Sequence, residues 1–561
     1  MSFISFFYTQ YQEVSLEFDA HFQDISKISL VLLAGSIAWI MCQFKNCLNH
    51  DIRMFAICSV YSFIRLALST RIGKFVFKQI RRIPLVRNKI ENEISKVNAD
   101  LIETIHKVDK TGLFLDEIPC HGRSKADLLD YLQNYVNFKT PQYLNGRVSG
   151  AVFSNESDAE ELALYQEIFA KFAYSNPLWP KLFPGVRKME AEVIRMCCSL
   201  MNGDEQSCGS MSTGGTMSIL LACMTYRNKA LEKGVLFPEM IVPTSVHAAF
   251  IKAAELFRMK LILIPVDNNT FKVDLRKMKA AITSNTAMLV GSAPSFPFGT
   301  IDDIEGIAEL GLKYKVPVHV DACCGGFILP FIDENSYGIK PWDFRVAGVT
   351  SISADTHKYG LAPKGNSVVL YRNKDLIHYQ YFCDTNWQGG IYASATMEGS
   401  RSGLNIALAW SSLLYYGKDK YQQTSKAVVD TTRKIRDGIK AIPELELQGA
   451  SDVCIVSLTS TVVDIHRFHH ILEENGWYLT SLQFPSGVHL MVTLNHTKNN
   501  VAEDFLACCR LAVAEIVSNP FAKLEGAAAL YGMSQKIPDR SIIREFANGY
   551  LDACYSSPIP L

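Results

Sequence analysis

The distribution of apolar and polar positions divides the chain into stretches of different periodicity. Residues 28–44 form an uncharged run between Lys27 and Lys45, which predicts a helix at the short end of what crosses ~30 Å of hydrocarbon, with the flanking lysines reaching for the interface. A second apolar run, 54–64, is too short to span and reads as an interfacial segment. Further on, apolar residues recur at helical spacing and predict amphipathic helices over 90–108, 124–137 and 157–173. Pro177, Pro180 and Pro184 then interrupt the chain before a surface helix predicted over 187–200.

From about residue 205 the pattern changes to short apolar runs at 239–242, 260–265, 287–291, 316–320, 349–352 and 367–371, separated by helical stretches. This alternation predicts an α/β domain built on a parallel sheet with crossover helices, in which ligands sit at the C-terminal ends of the strands. After residue 411 a long helical stretch through 440 leads to strands near 453–458 and 488–494 and helices near 465–474 and 502–517, a smaller α/β domain. The divisions predicted are 1–90, 91–204, 205–410 and 411–561.

Charge sharpens the picture at the N-terminus. The first 26 residues carry four acids (Glu13, Glu17, Asp19, Asp24) and no Lys or Arg, which is not the start of a cleavable signal peptide; from Arg53 to Lys89 there are nine basic residues and no acid. Basic flanks stay on the cytosolic side, so a single-pass anchor with a lumenal N-terminus and a cytosolic remainder is expected. Over all 561 residues Lys plus Arg equals Asp plus Glu, 56 of each, so the chain lacks the global basic field that nucleic-acid binding uses. The fifteen cysteines include adjacent pairs at 197–198, 323–324 and 508–509 but no Cys-x-x-Cys spacing, and read as thiols in a reducing compartment. His466, His469 and His470 share a predicted helix without a His-Glu-x-x-His pattern and read as a solvated face, so no metal site is expected.

The candidate chemistry centres on Ser353-Ala-Asp-Thr-His-Lys-Tyr-Gly360, which sets Lys358 just beyond the run 349–352. A lysine whose pKa is lowered by burial or a cationic cofactor captures aldehydes, and a strand end lets it reach one. Upstream lie Ser212-Thr-Gly-Gly-Thr216, opening a predicted helix, and His319-Val-Asp-Ala322, closing the run 316–320. Pyridoxal phosphate needs a phosphate cradle, an acid facing its ring nitrogen and a lysine for its aldehyde. The backbone at Thr213, Gly214, Gly215 and Thr216, with Asp321 and Lys358, supplies those three.

Together with the segments 145–152 (Asn-Gly-Arg-Val-Ser-Gly-Ala-Val), 174–178 (Tyr-Ser-Asn-Pro-Leu), 183–185, 247–250 (His-Ala-Ala-Phe), 362–365 (Ala-Pro-Lys-Gly) and 384–392 (Asp-Thr-Asn-Trp-Gln-Gly-Gly-Ile-Tyr), these stretches resemble the sphingosine-1-phosphate lyases, within the fold-type I pyridoxal-phosphate decarboxylases and lyases. The resemblance runs from about residue 145 to about 555. It implies a fold-type I large domain, a small C-terminal α/β domain, and a helical segment that wraps a partner subunit in a homodimer with shared active sites. It further implies that His247 stacks on the cofactor ring and His357 bonds its phosphate, and that Gly389 and Gly390 reach the cofactor from the partner. Asn176, Lys364, Tyr392 and Arg401 would bind substrate, a phosphorylated sphingoid base cleaved between C2 and C3 by an enzyme anchored in the endoplasmic reticulum membrane. Three positions depart from the family pattern: Phe153 stands in place of tyrosine, Trp179 of histidine and Met217 of glutamate. These leave two alternatives open, an amino-acid decarboxylase of the same fold and a homologue with a binding role.

Overall fold

The computed structural model describes residues 84–109, 114–154, 158–520 and 540–557. The candidate span 28–44 and the run 54–64 lie outside the described residues, among which no helix is long and apolar enough to cross a membrane. Contacts divide the chain into two compact units: Pro141–Ala529, and one joining the residues up to Thr140 with those from Leu530 onward.

In the latter unit the helix Pro84–His106 packs along Arg540–Cys554. A Cβ on Gly549 would collide with the Asn98 side chain, so this close approach needs glycine. The helix predicted over 124–137 forms as Lys125–Val136. It starts at Ser124, whose hydroxyl accepts from the Asp127 N–H while the Asp127 carboxylate accepts from the Ser124 N–H.

The unit Pro141–Ala529 is built on a seven-stranded sheet. Its strands are β1 (Cys208–Ser212), β2 (Glu239–Pro243), β3 (Lys260–Ile264), β4 (Thr286–Ser292), β5 (Val318–Asp321), β6 (Val349–Ala354) and β7 (Ser367–Tyr371), in the order β1-β7-β6-β5-β4-β2-β3. From β2 to β6 every neighbouring pair is parallel, and β2, β5 and β6 are buried almost throughout. Strands covered on both faces appear in sequence as unbroken apolar runs, which is why they are legible.

The expectation of a wholly parallel sheet is corrected at one edge, where β7 runs antiparallel to both β6 and β1. The link 355–366 folds back without a crossover helix, so β7 returns beside β6 in the opposite direction. That reversal builds the turn carrying Lys358. The edge strand β1 has no counterpart among the predicted runs: Cys-Gly-Ser-Met-Ser contains no branched residue and takes strand form by pairing with β7 along its whole length.

Beyond this sheet, β8 (Phe382–Asp384) and β9 (Tyr392–Ser394) form a separate hairpin. A long helix, Gly403–Lys440, bends at Gly417, whose φ of 57° and ψ of 175° interrupt it. The division drawn at 410 falls within this helix. It leads to a four-stranded antiparallel sheet of β10 (Glu446–Leu447), β11 (Ile455–Thr459), β12 (Thr480–Leu482) and β13 (Gly487–Met491), ordered β10-β11-β13-β12. Here the buried Trp477 meets Phe505 edge to face at 5.0 Å.

Candidate active site

Because β5 and β6 are parallel neighbours with Asp321 opposite Ser353, the last residue of β5 and the turn that follows Ala354 emerge at the same edge of the sheet. The turn is fixed from two directions: the Tyr421 hydroxyl donates to the Gly360 carbonyl at 2.7 Å and the Tyr359 hydroxyl to the Val492 carbonyl at 2.6 Å. Sequence separation hid both bonds.

Inside the turn, Lys358 Nζ lies 3.0 Å from Asp355 Oδ2 and 3.4 Å from Cys324 Sγ. Burial alone would lower the lysine, as expected from sequence, but negative charge beside it, on Cys324 were that thiol ionised and on the Asp355 carboxylate, more than offsets the burial and raises Lys358 well above the usual amine range. Asp355 is itself buried, yet its carboxyl is depressed, because the charge of Lys358 above all outweighs the burial that would raise it. In the sequence reading Asp355 had no role; its pairing with Lys358, three residues on, becomes visible only once the turn closes.

Asp321 is buried and its Oδ1 accepts the Cys323 N–H at 3.0 Å, which orients the carboxyl and leaves Oδ2 for another donor. Two residues back on the same strand face, His319 sits between the hydroxyls of Ser351 and Ser353 at 2.8 and 3.2 Å. Burial pushes His319 down to about 4, so its ring is neutral. His357 is likewise lowered to about 4, chiefly by burial. Its Nδ1 accepts the Asn366 N–H at 3.1 Å and its Nε2 lies 3.7 Å from Asp355 Oδ2.

Gly214 and Gly215 lead from β1 into the helix Gly215–Glu232 and bring its N-terminus against this turn. A Cβ on Gly214 would stand 3.3 Å from His357 Cε1, and one on Gly215 would stand 2.7 Å from both Asp355 oxygens and 2.9 Å from Cys323 Sγ. Side chains here would crowd His357 and collide with Asp355, the partner of Lys358. Asp355 Oδ1, also buried, has no hydrogen-bond partner. A helix N-terminus with free amides, a half-satisfied buried carboxylate at a strand end and a buried lysine form a donor set that fits pyridoxal phosphate. Gly215→Val is therefore expected to fold while its cofactor content falls by at least about tenfold, measured as bound cofactor per chain after gel filtration.

The remaining predicted residues fall into three groups. The Thr213 hydroxyl donates to Glu398 at 3.3 Å, tying the glycine turn to the loop 396–401, while Thr216 is exposed on the first helical turn. Asn176 braces the same loop, its Oδ1 accepting the Arg401 N–H at 3.3 Å and its Nδ2 donating to Ser400 at 3.0 Å. The Arg401 guanidinium is taken up by Glu190 through both terminal nitrogens, at 2.7 and 2.9 Å. This pairing spans two distant segments and was not legible in the sequence. Lys364 stands 4.8 Å over the Phe153 ring and is lowered by burial and by the charge of Lys358, which places it beside the lysine turn.

His247 caps the helix Ala248–Phe257, its Nδ1 accepting the Ala249 N–H at 3.2 Å, and its ring meets Phe296 edge to face. Gly389, Gly390 and Tyr392 belong to the β8–β9 hairpin. Nothing lies within 4 Å of where a Cβ on Gly390 would be, and the Tyr392 ring meets Trp387 at 5.8 Å. A Cβ on Gly389 would stand 2.5 Å from the Trp387 ring of the same hairpin.

Residues 152–459 match the family model described as the pyridoxal-dependent decarboxylase conserved domain. The chain is 44% identical to sphingosine-1-phosphate lyase 1 of Rattus norvegicus over 88% of this chain and 86% of that protein. With the sphingosine-1-phosphate lyase of Drosophila melanogaster it shares 45% identity over 86% of this chain and 88% of the other. A solved structure, the sphingosine-1-phosphate lyase of Burkholderia pseudomallei, superposes with a TM-score of 0.72 at 35% identity, covering 80% of this chain and 99% of that one. Likeness of this extent, running through the lysine turn and both flanking strands, makes the chain a member of the sphingosine-1-phosphate lyase family of pyridoxal-dependent enzymes.

Proposed function

We propose that Lys358, Asp321 and the Gly214-Gly215 helix start form the centre at which a phosphorylated sphingoid base is cleaved between C2 and C3. The enzyme is a pyridoxal-phosphate-dependent lyase of sphingoid base phosphates, yielding a long-chain aldehyde and phosphoethanolamine. The observation that carries the site assignment is the convergence of Lys358, Asp321 and the glycine turn at one sheet edge. When bound, the cofactor supplies an electron sink for the pair released from the broken C–C bond.

The protein's own residues do the rest. Lys358 would hold the cofactor through its amine. Asp321, at the end of β5, would keep a proton on the ring nitrogen. The amides at the start of Gly215–Glu232 would bind the cofactor phosphate with His357 next to them, and His247 would lie against the ring. Lys364, beside the lysine pocket, is the cation placed to meet the substrate phosphate.

The decarboxylase and binding-role alternatives are not favoured, since the relatives that match along most of the chain are lyases. Incubating the purified protein separately with sphingosine 1-phosphate and with glutamate in deuterated water tests this. The expected result is phosphoethanolamine carrying one deuterium at C2 from the first and no carbon dioxide from the second; release from glutamate alone would refute the assignment.

Shared active sites in a homodimer are supported by the β8–β9 hairpin, where Trp387 and Ile391 are 56% and 78% exposed around Gly389 and Gly390. A hairpin that exposes these two apolar side chains around Gly390, whose surroundings are open, suits a surface that meets a second copy of the chain. Anchoring in the endoplasmic reticulum membrane through 28–44, with the catalytic part cytosolic, is supported by the charge asymmetry around that run. The acceptor sequence Asn268-Asn-Thr270 is exposed, whereas Asn495 is buried, so Asn268 is the informative position. Expressed in a eukaryotic cell with its own N-terminus, the protein should show no endoglycosidase-sensitive mass at Asn268; a glycan there would reverse the orientation.

A further inference from the structure

We propose that Asp355 is a positioning residue for Lys358, its buried carboxylate holding the lysine nitrogen beside Cys324 and keeping a proton on it both while it is joined to the cofactor and when it is released. The inference rests on the assignment of Lys358 as the cofactor lysine and adds to it the group that governs that nitrogen.

Three features of geometry carry it. Asp355 follows β6 directly and is 2% exposed, so its charge has no access to bulk water. One of its oxygens is 3.0 Å from Lys358 Nζ, while the other has no hydrogen-bond partner and retains capacity for a second N–H. Gly215, by lacking a side chain, leaves room for the carboxylate at the helix start, where the positive end of the helix also favours an anion.

The other groups facing the pair do not replace it. Cys323 and Cys324 are raised by burial and stay neutral thiols, so Cys324, 3.4 Å from Nζ, is a weak neutral contact. His357 is neutral because burial lowers it to about 4. Lys364 carries the wrong sign, and Asp321 is turned toward the Cys323 N–H. The negative charge at the lysine nitrogen is that of Asp355.

The consequence is chemical. A released lysine kept as an ammonium can deliver one proton to the substrate carbon that has lost its bond. The N–H bond breaks, a C–H bond forms, and the electron pair stays on nitrogen. What remains is the neutral amine that must reattach to the cofactor. An ammonium left in bulk-like surroundings would exchange its proton and lose its aim.

The test is the visible absorption of the cofactor-loaded protein as a function of pH, which reports whether the nitrogen joining Lys358 to the cofactor carries a proton. In the wild-type protein the band should not change through the neutral range. Asp355→Asn keeps the size of the side chain against Gly215 and removes the charge. Its band should titrate at a pH lower by at least about one unit, a tenfold change in the protonation equilibrium, as expected when an opposite charge within hydrogen-bond distance is lost. Cys324→Ala should leave the titration where it is in the wild type.

An Asp355→Asn titration that superposes on the wild type would overturn the proposal, as would an equal shift in Cys324→Ala. If the asparagine variant does not retain cofactor, the wild-type titration decides alone: a proton lost near neutrality refutes the role of Asp355, and a band constant through that range upholds it. Failure of the parent assignment looks different, since the wild-type protein would then show no band that borohydride fixes to Lys358.

Discussion

Lys358→Ala is expected to lose turnover of sphingosine 1-phosphate by at least about a thousandfold while the chain still folds, with activity and unfolding midpoint measured on the same preparation. The loss has two parts. No other amine replaces the nitrogen, because Lys364 is held over the Phe153 ring. The substitution also strands the Asp355 carboxylate, which is buried and has Lys358 as its ion-pair partner at 3.0 Å. Removing one member of a buried pair costs about 3–5 kcal/mol, so the midpoint falls as well.

The sign of its pH dependence follows from Asp355. Its folded carboxyl is depressed, so the pair contributes stability above the unfolded carboxyl pKa, and that stability is lost as pH falls through the folded value. The wild-type advantage over Lys358→Ala should therefore be full at neutral pH and shrink in acid. Adding Asp355→Asn to Lys358→Ala should recover stability and restore no activity, which separates the electrostatic cost from the chemical one.

Asp321→Asn is expected to keep cofactor and fold but to lower turnover on the order of 10²- to 10⁴-fold. The amide oxygen can still accept the Cys323 N–H, now 3.0 Å from Oδ1, so the local turn survives. What disappears is the negative charge that keeps the ring nitrogen protonated. A loss of activity with unchanged cofactor content and unchanged KM is the expected signature; loss of cofactor in parallel would make Asp321 a structural residue instead.

The parts of the fold that were legible are those where burial is two-sided. The runs at 239–242, 287–291, 316–320 and 349–352 mark buried parallel strands, and Asp321 and Lys358 were readable as groups at the ends of the last two. Strand direction leaves no periodic trace, so the antiparallel return of β7 was invisible, as was β1, whose small polar residues become a strand through β7 alone. At the site, residue types identified the centre but not its wiring. The Glu190–Arg401 pair, the Tyr421 clamp on Gly360 and the Lys358–Asp355 contact each depend on how distant or turning segments meet. Arg401, read as a phosphate ligand, emerges engaged by Glu190, and Asn176 as a brace of the neighbouring loop.

The departures Phe153 and Trp179 also take on physical meaning. Phe153 is buried, meets Tyr359 edge to face at 5.0 Å and supports Lys364 from below, so the missing phenol is offset by an aromatic platform that aims a cation. Trp179 is 61% exposed and makes no such contribution within its own chain's pocket.

The most direct test of the central claim is borohydride reduction of the cofactor-loaded wild-type protein followed by peptide mapping. The account predicts one modified peptide, with the cofactor fixed to Lys358. A label on Lys364, or no label in a cofactor-saturated sample, would contradict it.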